Sequence, residues 1–75
     1  MTELTRIAYE EWEEADALAR AAEDEVKQAC ERHDRHGKAP PSLAAIERVR
    51  RMRTSSDEKL ARVIGLLTAR GDERR

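Results

Sequence analysis

The sequence contains no Phe and no Asn, and only two aromatic residues (Tyr9 and Trp12), one cysteine, two prolines and three glycines in 75 positions. A single cysteine excludes a disulfide framework and fits a reducing compartment, so a cytoplasmic location is expected. No run approaches the roughly 20 apolar residues of a membrane span. The start, MTELTRIAYEEWEEAD, is acidic and lacks the basic-then-apolar order of a secretion signal. With 39% apolar residues, twelve of them alanine, the chain has thin material for a core. Chains of this length rarely bury enough apolar surface without a partner or a staple. A pocketed enzyme of ordinary size is excluded on the same ground.

What is present is charge, in 41% of positions, summing to −1. The near-zero total hides an asymmetry: residues 1–38 carry eleven acids and six bases, residues 39–75 five acids and nine bases. Two halves of opposite sign attract within one chain or between copies. Arg outnumbers Lys twelve to three, which points to a GC-rich, bacterial genome.

His36-Gly37-Lys38-Ala39-Pro40-Pro41-Ser42 divides the chain once. It joins a glycine suited to ending a helix, a double proline, and a serine suited to capping the next. The flanking stretches predict helices over about 3–36, behind a Thr2 cap, and about 43–70, with a turn at 37–42 and a tail at 71–75. Acid-before-base pairs at i,i+4 (Asp16–Arg20, Glu23–Lys27, Glu31–Arg35, Glu47–Arg51, Glu58–Arg62) agree with helix, each contributing about 0.2–0.5 kcal/mol. Ser55 and Glu58 have capping-box spacing, so a break at Thr54–Asp57 would give three helices. The hydrophobic period runs through that segment in phase, and a continuous second helix is preferred.

Ala8, Ala15, Ala22 and Ala29 recur every seven residues, with Trp12, Ala19, Val26 and His33 between them. This is the 3–4 alternation of a bundle seam. The second seam reads Ile46, Val49, Arg53, Ser56, Leu60, Val63, Leu67. Folding at Ala39-Pro40 pairs Ala29 with Val49, Ala22 with Ser56, Ala19 with Leu60, Ala15 with Val63 and Trp12 with Leu67. Small faces large in most layers, as interdigitation requires. The same register sets Arg53 near Glu23, Asp24 and Glu25. The expected fold is therefore all-α, an antiparallel two-helix hairpin. Leu4, Ile7, Trp12, Leu18, Met52, Ile64 and Leu66 supply a second apolar surface. Burying a side chain such as Leu contributes about 1.5–3 kcal/mol, so dimerisation into a four-helix bundle is expected, or docking of a second protein.

The chemistry-bearing clusters are few. Cys30, His33 and His36 have C-x2-H-x2-H spacing, and thiolate and imidazole are ligands for zinc, copper or nickel. The simpler reading makes Cys30 a small apolar group shielded beside Ile46. It leaves both histidines favourably placed at a helix C-terminus. No metal or other cofactor is expected. Arg48, Arg50, Arg51 and Arg53 form the basic cluster, the basis of an alternative reading as a small nucleic-acid-binding regulator. Their helical angles spread them, and pairing with acids of the first helix accounts for them better. In topology alone such a dimer resembles the Rop class of RNA-complex binders, an architectural analogy that assigns no residue a role. Glu10, Glu11, Glu13, Glu14 and Asp16 read as a solvated face, and no nucleophile–base pair or phosphate loop appears. No catalytic residue, small-molecule substrate or membrane partner is expected. Gly65 inside a helix costs up to about 1 kcal/mol against alanine, so either a backbone approaches it closely or it is merely tolerated. The expected function is a non-enzymatic protein–protein interaction or homodimerisation module.

Overall fold

In a computed structural model the chain forms two α-helices, α1 (Glu3–His36) and α2 (Leu43–Glu73). The structure describes the backbone of residues 2–73 and the side chains of residues 2–69. The helices lie side by side in a rod of 60 × 16 × 15 Å.

Each boundary has a chemical cause. Thr2 is extended and its Oγ1 accepts from the Thr5 backbone N–H at 3.1 Å, satisfying one donor that the first turn would leave orphaned. The two hydroxyls also bond to each other at 2.8 Å. Glu3, in that first turn, adds a negative charge where the helix dipole favours one. At the other end Gly37 adopts the left-handed conformation, φ 65°, and its N–H bonds to the His33 carbonyl at 3.2 Å. That conformation costs an L-residue about 1–2 kcal/mol and glycine nothing comparable. Ser42 then opens α2, its Oγ accepting from the Ala45 N–H at 3.0 Å.

The second helix continues without interruption through Thr54–Asp57, so the described residues form two helices rather than three. It also runs through Gly71 to Glu73, which corrects the expected stop at Arg70. A helical glycine is costly but not forbidden, and no proline follows to enforce an end. Arg74 and Arg75 of the expected tail lie outside the described residues.

The buried set is Thr5, Ala8, Ala15, Ala19 and Ala22 on α1, with Ser56 and Val63 on α2. These residues recur at steps of three, four or seven, and all but Thr5 belong to the middle and open end of the expected seam. The rest of that seam is less covered than expected. Trp12, Val26, Ala29, Val49 and Leu60 are half-buried, His33 is exposed, and Ile46 and Leu67 are 41% and 51% exposed. One facing helix can cover an alanine completely, whereas a longer side chain reaches past the contact line and stays wet on its far side. Gly65 has nothing within 4 Å of an added Cβ, so no backbone approaches it.

Candidate functional site

The charged side chains show how the helices are matched. Arg53 reaches from α2 to two carboxylates of α1, Asp16 at 3.0 Å and Glu23. Arg48 pairs with Glu25 at 3.6 Å and Arg62 with Glu11 at 3.4 Å. Rising numbers on α2 thus meet falling numbers on α1, and the paired numbers sum to 69–76 rather than the 78–79 of the expected layers, so the helices are offset along the rod from the expected register. The guanidinium of Arg53 is held above its ordinary pKa, first by the hydrogen bond to Glu23 and then by that to Asp16. The expected neighbours of Arg53 were Glu23, Asp24 and Glu25; the structure keeps Glu23, replaces Asp24 with Asp16, and gives Glu25 to Arg48.

Asp16 therefore leaves the solvated face to which its sequence neighbours assign it. Its side chain is 14% exposed and also holds Arg20 at 2.9 Å. Of the five expected same-helix pairs this is the one that closes among the described residues. Glu23 and Arg62 are drawn across the hairpin instead. Arg6 forms a further same-helix fork with Glu3 and Glu10, which raises its pKa.

These pairs divide the basic cluster. Arg48 and Arg53 are committed to carboxylates, while Arg50 and Arg51 are exposed with no ion pair among the described residues.

The turn-end triad is likewise dispersed. His33 Nδ1 lies 2.7 Å from the Lys38 carbonyl oxygen. A carbonyl can only accept, so Nδ1 carries the proton, and the imidazole fastens the chain leaving α1 to its last turn. Cys30 is exposed, which corrects the expected burial beside Ile46. Its neighbour Ala29 takes the seam position, and one residue further turns Cys30 by about 100° onto the flank. His36 is exposed, and no group of three metal-ligating side chains exists among the described residues.

The expected apolar surface divides between two flanks of the rod. On one, α1 contributes Leu4, Ile7 and Leu18, exposed by 52%, 39% and 51%, and α2 contributes Met52 and Leu66, half-buried. There Glu11, Glu14, Leu18, Met52 and Lys59 border an open groove of about 250 Å³. The other flank carries the half-buried Trp12, stacked on Tyr9 at 5.5 Å between ring centroids and 57° between planes, together with the exposed Ile64. A shallow groove of about 500 Å³ runs there past Asp16 and Arg20. Ser55 also lines the first of these grooves. No helix among the described residues is long and apolar enough to cross a membrane. Comparisons with protein-family models, with curated proteins and with solved structures find no match.

Two features escaped the sequence reading. Thr5 is 2% exposed, a seam position that its spacing of three before Ala8 could have indicated. Ser56 is 1% exposed, as its seam position implied, but spacing does not reveal that its hydroxyl has no hydrogen-bond partner.

Proposed function

We propose that this chain is a non-enzymatic association module, an antiparallel helical hairpin that pairs with a second copy to form a four-helix bundle. One observation carries the proposal: among the described residues the buried apolar side chains are four alanines and one valine, while Leu4, Leu18 and Ile64 are each more than half exposed. An isolated hairpin so composed leaves its largest apolar groups in water, and each would contribute about 1.5–3 kcal/mol if covered. A long side of the rod, 60 × 16 Å or about 960 Å² in outline, has room for the roughly 800 Å² per partner of a standard interface. The exposed free thiol of Cys30 fits a reducing, cytoplasmic setting.

Thermal melting over a range of protein concentrations tests this reading. Self-association makes the melting temperature rise with concentration, because a partner that binds only the folded state stabilises it by mass action. A melting temperature constant across the micromolar range contradicts it and leaves a different protein as the covering partner.

A further inference from the structure

We infer that the Leu18–Met52 flank is the self-association face, and that the two copies pair about a two-fold axis running along the rod, each α1 lying on the α2 of its partner. The inference rests on the association reading above and specifies its geometry.

The charge pattern carries it. On α1, Leu4, Glu11, Leu18 and Glu25 recur at seven-residue spacing and are exposed, with Glu14 beside them. On α2, Arg48, Met52, Lys59, Arg62 and Leu66 recur at steps of three, four or seven. The Arg62–Glu11 and Arg48–Glu25 pairs tie these two lines together on one flank. That flank is therefore an acidic strip and a basic strip, side by side, with apolar side chains set into both.

A two-fold interface places one surface patch against itself, so its symmetry decides which strips meet. An axis across the rod would lay α1 on α1, acid against acid, and α2 on α2, base against base. An axis along the rod lays each acidic strip on the basic strip of the other copy. Like charges brought together are strongly disfavoured at an interface, so the second arrangement is selected. It also keeps heights in step with the ion pairs observed: Glu11–Arg62 and Glu25–Arg48 share the sum 73, as do Glu14 and Lys59, so Glu14 meets Lys59 of the partner subunit, and Leu18 packs beside Met52 of the partner subunit on the same groove. Glu14 and Lys59 border the same groove and make no ion pair within the chain among the described residues. The opposite flank has its central guanidinium, Arg53, already shared between Asp16 and Glu23.

Charge reversal with mixing tests the inference. Glu14→Lys alone and Lys59→Glu alone each set like charges against each other twice per dimer and should weaken association about tenfold. An equimolar mixture should recover a mixed dimer in sedimentation, since each contact then joins opposite charges. A purely intramolecular role for the two residues produces no recovery. In a Cys30→Ser, Lys38→Cys background, spin labels on the two turns should lie about two helix diameters apart, roughly 20–25 Å. An axis across the rod separates them by nearly its 60 Å length. A wild-type dimer with no recovery on mixing, or with turns at opposite ends, overturns this geometry and leaves the association reading standing. A wild-type chain that remains monomeric overturns both.

Discussion

Arg53 and Asp16 meet across the hairpin at 3.0 Å, and the Asp16 side chain, 14% exposed, is held from the other side by Arg20. Asp16 thus joins a same-helix pair to a cross-helix pair, and Arg53 extends the network to Glu23. Geometry shared among several charges is where surface ion pairs gain weight over isolated ones.

Arg53→Met should therefore lower the melting temperature more than Arg62→Met, whose single partner Glu11 stands at 3.4 Å. The difference should shrink as salt is raised, since screening reaches these partly exposed groups. Melting both variants at low and high ionic strength checks the ranking. Equal losses would mean that the Asp16 network contributes nothing beyond an ordinary surface pair.

Ser56→Ala should be neutral or stabilising, by up to about 1 kcal/mol, because it deletes a buried hydroxyl that bonds to nothing and improves helix propensity. Ala22→Leu should do the reverse, overpacking a position only 3% exposed at a cost of about 1–3 kcal/mol. Urea unfolding of the two variants reads both signs. An unchanged Ala22→Leu midpoint would mean that the seam is not close-packed at that layer.

Gly37, just past the end of α1, and Gly65, inside α2, should respond oppositely to alanine. Gly37→Ala forces a side chain into φ 65° and should cost about 1 kcal/mol. Gly65→Ala meets no atom within 4 Å and should gain up to about 1 kcal/mol from helix propensity. Chemical denaturation distinguishes them.

Zinc should leave the melting temperature unchanged, because the Cys30, His33 and His36 side chains do not converge and His33 is fastened to Lys38. A zinc-dependent rise that disappears in a His33→Ala, His36→Ala variant would make the turn end a metal site after all.

Helix boundaries were legible because each rests on local chemistry: Thr2, Gly37 and Ser42 cap as their residue types dictate. The close-packed part of the seam was legible because its alanines follow a strict heptad, and alanine needs only one facing helix to be covered. Cross-helix charge partners were less so. Glu23 was readable for Arg53 but Asp16 was not, since a long arginine can choose among carboxylates several turns apart, and backbone register alone does not rank them. The end of α2 was misread at Gly71 because a glycine stops a helix only where the chain takes up the left-handed turn, as at Gly37. Burial at Ile46 and Leu67 failed because periodicity reports which side a residue faces, not how much of it a single neighbouring helix can cover, whereas Cys30 lies one residue past the seam position Ala29 and faces the flank.

Sedimentation equilibrium of the unmodified chain over the micromolar range tests the central claim most directly. The account predicts a species of twice the 8.6 kDa chain mass, dissociating on dilution. A single 8.6 kDa species at every concentration would contradict it.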